Sequence, residues 1–203
     1  VAAGGALLLD RRLDAQLAFL QEADRLKSVL RMTSLIGGAR RENSAEHSWH
    51  FALAALTLAE HAAGEIDLCR VLRMGLVHDL VEIDAGDAFV YDAAAMDGKA
   101  ERERMAAHRI FGMLPDDQAR EYRALWDEFE AQESVEARYA AAVDRLCGML
   151  PNWRNAGGTW REHGVAAERV SARNAPMGDG APAVWEAARR WIDEAVREGW
   201  IAP

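Results

Sequence analysis

Cysteine and proline are scarce in this chain: 203 residues contain two and five of them, and no CxxC pair occurs. The wide separation of Cys69 and Cys147 excludes the usual zinc and redox spacings, and each lies in an apolar helical pattern. Both are therefore expected to be reduced core thiols. Val, Ile and Thr are sparse beside Ala, Leu, Arg and Glu, which disfavours sheet and favours helix. No apolar run approaches the ~18 residues of a membrane span. The start Val1-Ala2-Ala3-Gly4-Gly5-Ala6 lacks the basic-then-apolar plan of a signal peptide, so a cytoplasmic residence is expected. Basic residues are outnumbered, 24 against 33 acidic, for a net charge of -9. That balance argues against a nucleic-acid polymer as partner. It leaves room for a small phosphorylated substrate, because a bound cation and a few local arginines set the field of a pocket.

Helical periodicity covers most of the length, and neither an internal repeat, a heptad series nor an alternating strand pattern is evident. The spacing predicts a first amphipathic helix over about 13–30, with Leu17, Leu20, Ala23 and Leu26 on one stripe. A loop follows through Gly37-Gly38. Ser44 reads as the N-cap of a helix reaching about 63, with His47 in its first turn. A further helix opens at Ile66-Asp67 and stops near Gly86, and others are predicted at about 99–114, 116–131 and 134–150. The segment 152–180 is rich in Gly, Asn and Pro and reads as a long loop, ordered by Trp153 and Trp160. A last helix over about 181–199 closes the chain. The expectation is one all-α domain of about six to eight helices, with a core over about 13–151 and the tail packed on it.

Against this apolar background the adjacent pair His78-Asp79 stands out, in Met74-Gly75-Leu76-Val77-His78-Asp79-Leu80-Val81-Glu82. Charge on a buried helix face needs compensation, and a divalent cation supplies it, since imidazole and carboxylate are both metal ligands. Asp144 lies on a similar face in Ala141-Ala142-Val143-Asp144-Arg145-Leu146, where it either pairs with an arginine or ligates a cation. His47, taken alone, is equally a helix-terminal surface histidine.

The order His47 … His78-Asp79 … Asp144 resembles the signature of the HD-domain metal-dependent phosphohydrolases. The likeness is nearer to their 5'-deoxynucleotidase branch and extends over nearly the whole chain from about Leu13. It is carried by Arg25-Leu26-Lys27 and Arg31, by Arg41-Glu42-Asn43-Ser44-Ala45-Glu46-His47-Ser48, by His78-Asp79-Leu80-Val81-Glu82 with Gly86-Asp87, and by Ala142-Val143-Asp144. Gly157-Gly158-Thr159-Trp160-Arg161-Glu162-His163-Gly164-Val165 is similar to a bacterial subgroup of HD proteins.

The resemblance implies a helical HD fold and a metal site built from His47, His78, Asp79 and Asp144. It implies hydrolysis of a nucleoside or deoxynucleoside 5'-monophosphate, with a nucleoside triphosphate or a modified nucleotide as the alternative ester. A helical binding module with a structural metal is the non-enzymatic alternative. The mixed N/O set suits Mn, Co, Fe, Ni or Zn, with Mg possible, better than Ca. Glu82, four residues beyond His78 and three beyond Asp79, is expected to move the proton of the attacking water, as the matching family glutamate does, or else to be an exposed helix end. Asp87 would position that water, hold the sugar or leaving group, or cap the next segment. Asp84 is expected to be exposed or to support a ligand.

Arg31 and Lys27 are the candidate phosphate binders, because a guanidinium grips two oxygens of a phosphate dianion. Lys27 is also readable as a solvated helix position. Met32 departs from the branch, which has a tryptophan there that helps exclude ribose, and one extra residue lies between Arg31 and His47. HD proteins with two metals need further histidines between the His-Asp pair and the last Asp. Only His108 lies there, so one ion is expected. His50 and His61 read as supporting or surface groups, and His163 as either a lid over a base or a loop anchor. Apolar faces around Leu53-Ala54-Ala55-Leu56, Trp185, Trp191 and Trp200 are core or dimer surface, and relatives commonly dimerise, so a homodimer is expected.

Overall fold

A computed structural model describes the backbone of residues 2–203 and the side chains of residues 11–203. The side chains of Val1–Ala6, read above for a signal sequence, lie outside the described residues. Helix dominates, as the composition implies. Seven longer helices form the body: α1 (Ala2–Ala23), α2 (Ser44–Thr57), α3 (Leu68–Val77), α6 (Lys99–Phe111), α7 (Asp116–Ala131), α8 (Val135–Arg154) and α12 (Pro182–Arg197). Five shorter ones join them: α4 (Glu82–Ala85), α5 (Ala93–Met96), α9 (Gly158–Glu162), α10 (Ala167–Asn174) and α11 (Met177–Gly180). The described helices therefore outnumber the expected six to eight, and the excess is all in short segments. None of them is long and apolar enough to cross a membrane.

Helix α8 is the central post. Ala137, Tyr139 to Val143, Leu146, Cys147 and Met149 are all buried, and α2, α3, α7, α11 and α12 pack around it. The Tyr139 hydroxyl donates to the Ala55 carbonyl at 2.9 Å, satisfying a polar tip in the middle of the core. Gly180 lets α11 approach closely: a Cβ there would stand 2.1 Å from the Arg138 carbonyl oxygen. A second apolar cluster, including Phe19, Val77, Ile110, Phe111 and Trp126, lies under α1, α6 and α7.

Three expectations need correction. The region 152–180 is not a long loop but three short helices, because its glycines act as stops. Gly157 and Gly164 take the left-handed conformation (φ 92° and 61°) that ends one turn and frees the next. Asn152 locks the first of these turns, accepting from the Thr159 amide at 2.7 Å and its hydroxyl at 2.8 Å. A small antiparallel hairpin also exists, β1 (Leu30–Ser34) with β2 (Arg41–Asn43). Its turn uses Gly37 and Gly38 at φ 94° and 70°, and Asn155 ties it to the end of α8 through Leu35 O and Gly37 N, both at 2.9 Å. Finally, Cys69 is exposed, so only Cys147 is a core thiol; both are free.

Candidate metal centre

The side chains of the expected constellation arrive on three elements. Asn43, not Ser44, caps α2: its side chain accepts from the Glu46 amide while Glu46 returns to the Asn43 amide, a reciprocal box that fixes the first turn. His47 follows directly and is fully buried. His78 and Asp79 stand where α3 tightens into a 3-10 turn over His78–Val81. Asp144 projects from the middle of α8. One ligand atom each from His47, His78 and Asp144 fits within 4.8 Å of the others. His47 Nε2 lies 2.9 Å from Asp144 Oδ1, and His78 Nε2 lies 3.9 Å from the same oxygen. Asp79 borders the group, with Oδ1 at 3.1 Å from His78 Nε2 and Oδ2 at 3.8 Å from His47 Nε2.

These atoms fit a cation. The His78 Nδ1–H faces the Gly75 carbonyl at 2.9 Å, which leaves Nε2 as the lone-pair nitrogen. That Nε2 is buried and has no hydrogen-bond partner, an arrangement that costs free energy until a ligand accepts it. Burial pushes the His47 imidazole down to about 3, and the His78 imidazole is pushed down for the same reason. Both rings are thus neutral, as metal ligands must be. Burial works to raise Asp144, but the His47 hydrogen bond and the nearby Arg31 charge prevail and hold it below the usual range, ionised.

Glu42 is a site residue that motif reading passed over. It is 5% exposed on β2, 3.8 Å from His47 Nδ1 and 3.6 Å from Arg31 Nε, and its Oε2 and both facing nitrogens lack hydrogen-bond partners. Burial pushes its carboxyl up to about 7. A histidine that ligates through Nε2 carries its proton on Nδ1, and Glu42 is the acceptor facing that proton. The signal available in the sequence was only a charged residue flanked by Arg41 and Asn43.

Glu82 is buried and accepts from the Ser44 hydroxyl at 2.7 Å. Burial, reinforced by Asp79, pushes it up to about 8, a value suited to proton transfer near neutral pH. Asp87 accepts the Met32 amide at 2.9 Å, pinning β1 beside the site. Arg31 lies on β1 and donates to Asp79 Oδ2 at 3.0 Å. Lys27 is not brought to the site: it is exposed, paired with Asp24 one turn earlier, and absent from the cleft lining. Asp84 pairs with Arg109 outside the cluster. His108 is exposed on α6.

The centre opens into a cleft with two lobes. One, about 320 Å³, is lined by His78, Asp79, Glu82, Lys99 and Phe129. The other, about 120 Å³, is lined by Met32, Phe89, Tyr91, Asn152 and Trp160. Arg31, Asp87, Asp144, Arg145 and Arg173 border both. Trp160 is a buried wall of the smaller lobe. His163 instead packs on Phe89, with ring centroids 4.6 Å apart, which favours the anchor reading.

The family model described as HD domain matches residues 23–185. The chain belongs to the HD domain family. This HD domain is 51% identical to a protein from Magnetospirillum magnetotacticum whose crystal structure is described as a predicted metal-dependent phosphohydrolase. The alignment covers 95% of this chain and 96% of that one, with a TM-score of 0.91. It is 31% identical over 135 residues to the human 5'-deoxynucleotidase HDDC2, covering 66% of this chain and 64% of that protein. A 5'-deoxynucleotidase of Erwinia tasmaniensis is 31% identical over 140 residues, 65% of this chain and 70% of that one. The match to the human relative thus spans a little less than two thirds of that protein's length.

Proposed function

We propose that this HD domain is a metal-dependent phosphohydrolase that removes the phosphate of nucleoside or deoxynucleoside 5'-monophosphates. The observation that carries the reading is the unpartnered, buried His78 Nε2 converging with His47 and Asp144 beside a raised, buried Glu82. A closed structural metal site has no use for that extra acid. His47, His78, Asp79 and Asp144 would hold one divalent transition ion, Mn, Co, Fe, Ni or Zn, with Mg as a weaker fit to imidazole. Such an ion supplies Lewis acidity toward a phosphoryl oxygen and toward water.

The chain's own groups supply the rest. Glu82 takes the proton of the attacking water through the carboxylate oxygen that Ser44 does not engage. Arg31, half-buried beside Asp79 and Glu42, offers fixed positive charge to the phosphate as its oxygens enter. Asp87 holds the Met32 amide and so sets the wall against which the sugar or leaving group lies. A homodimer is supported by the exposed stripe Trp49, Leu53 and Leu56 at helical spacing on α2. Free Cys69 and Cys147 suit a reducing, cytoplasmic residence.

The test is direct. Chelator-stripped protein is resupplied separately with Mn, Co, Fe, Ni, Zn or Mg and given a panel of ribo- and deoxynucleoside 5'-monophosphates. Free phosphate is then measured. Release with at least one metal is the expected result; none from any ester with any metal would sink the proposal.

A further inference from the structure

Arginines in so acidic a chain, 24 basic against 33 acidic residues, readily find carboxylates. Two arginines of the cleft do not. Arg145, on α8, spends Nη1 on the Ala141 carbonyl at 3.1 Å and Nη2 on a long contact to Gln132 Oε1 at 3.3 Å. Its Nε is buried with no partner. Arg173, on α10, is exposed and makes no ion pair among the described residues. Asp144 is the carboxylate nearest in sequence, but it is already engaged by His47 at 2.9 Å. Both guanidiniums border each lobe of the cleft. Two guanidiniums facing one cleft with no ion pair of their own leave their charge open to an anion in that cleft. A single phosphate at the metal centre has Arg31 for this purpose; the second pair is surplus to a monophosphate.

We propose that Arg145 and Arg173 form a subsite for a second phosphate, carried by the same substrate as the phosphate that is removed. The inference deepens the phosphohydrolase reading and rests on it for the reaction. The second phosphate is either on the sugar of the leaving nucleoside or next along a 5' chain, and both place an anionic phosphate beyond the scissile bond. Paired guanidiniums bind such a group through charge-assisted, two-pronged hydrogen bonds.

The experiment compares metal-loaded wild type, Arg173→Gln and Arg145→Lys on adenosine 5'-monophosphate, adenosine 3',5'-bisphosphate and adenosine 5'-diphosphate. Arg173 is exposed, so its variant is expected to fold, and Arg145→Lys keeps the charge while removing the fork. The expected wild type has kcat/KM at least about tenfold higher for one two-phosphate ester than for the monophosphate. The ester that shows it tells which source is used. Each variant lowers that ratio by about tenfold, mainly through KM. A binding readout independent of turnover is calorimetric titration of the chelated full chain with pyrophosphate, where Arg173→Gln weakens Kd by about tenfold.

No preference for either two-phosphate ester overturns the subsite while leaving the hydrolase reading intact. So does a variant that lowers all three esters equally, or one that leaves the ratio untouched. Loss of pyrophosphate affinity in Arg173→Gln, with no ester hydrolysed under any metal, keeps the subsite and overturns the hydrolase reading.

Discussion

Gly75 couples the hydrophobic core to the metal centre, and Gly75→Ala tests that coupling. A Cβ at Gly75 would stand 2.0 Å from Phe51 Cε1 and 2.1 Å from Cδ1. Carbon atoms do not approach so closely, so the ring must recede by more than an ångström. Phe51 is fully buried and has nowhere to go without displacing its neighbours. One neighbour is His78, whose ring centroid is 5.5 Å from that of Phe51. Overpacking of this kind costs about 1–3 kcal/mol. For a chain of this size, each kcal/mol lowers Tm by about 2–4 °C, so the variant is expected to melt roughly 2–12 °C earlier.

The second consequence concerns the ligand itself. Gly75 supplies the carbonyl that receives the His78 Nδ1–H at 2.9 Å, and that bond orients Nε2. Disturbing such a supporting bond weakens metal binding by about 10–100-fold. Thermal unfolding of chelated protein reads the first effect, and competition against a chromophoric chelator reads the second. Phe51→Leu alone leaves a gap and is also destabilising. Combined with Gly75→Ala it is expected to be more stable than the sum of the two changes by about 1 kcal/mol or more. Wild-type melting and metal affinity in Gly75→Ala, or simple additivity in the double variant, would refute the reasoning.

Replacing Glu82 with Gln is expected to leave metal affinity within about threefold while lowering kcat by about 10²–10⁴-fold; undiminished kcat removes Glu82 from the proton transfer. Met32→Trp fills part of the smaller lobe, which Met32 lines, and should raise the deoxy-to-ribo ratio of kcat/KM by about tenfold. An unchanged ratio would separate this position from sugar selection. Lys27→Ala should alter neither kcat/KM nor stability beyond about 0.5 kcal/mol, since Lys27 is exposed and faces Asp24; a tenfold loss of kcat/KM would return it to the phosphate site. Between about pH 7.5 and 8.5 the His47 and His78 imidazoles are neutral when folded and almost wholly neutral when unfolded, whereas Glu82, raised to about 8, keeps its proton only when folded. The folded state then binds more protons, so the Tm of chelated protein should fall as pH rises through that window, and Glu82→Gln should flatten the slope. A rising Tm would contradict the raised carboxyl.

Much of the scaffold was legible because its stops are local. Helix α7 runs from Asp116 to Ala131, as the spacing after Pro115 predicts, and Ser134 caps α8 by accepting from the Ala137 amide. The hairpin was not legible. Arg41-Glu42-Asn43 is polar throughout, so no alternation betrays a strand, and its order comes from Asn155 more than a hundred residues away. For the same reason Glu42 escaped notice, since its burial is created by β1 and α2. The segment 152–180 misled in the opposite sense: glycine and proline signal a break, but the sequence does not tell whether the break separates helices or dissolves them. Buried Trp160, Val170 and Met177 decide that, because three-dimensional packing against α8 and α12 supports helices too short to stand alone. Lys27 was read from its charge and the likeness of Arg25-Leu26-Lys27 to the family, and the 3-10 turn over Asp24–Ser28 leaves it exposed beside Asp24.

The local winding at His78 explains how one short segment supplies so many groups. In an α-helix, residues three apart are offset around the axis by about 300°, short of a full turn. A 3-10 turn brings i and i+3 into line. Over His78–Val81 the chain adopts that tighter winding, and the Glu82 amide bonds back to Asp79 O and Leu80 O. Asp79 and Glu82 therefore lie one above the other, with Asp79 at the ligand level and Glu82 one step removed beside Ser44. Had α3 continued as a regular helix, Glu82 would have stood nearer in angle to His78 than to Asp79. The buried positions Leu80 and Val81 hold the tightened turn against α6. Apolar packing thus fixes a winding that hydrogen bonding alone would not favour, and the winding separates the residue proposed to move a proton from those proposed to hold an ion.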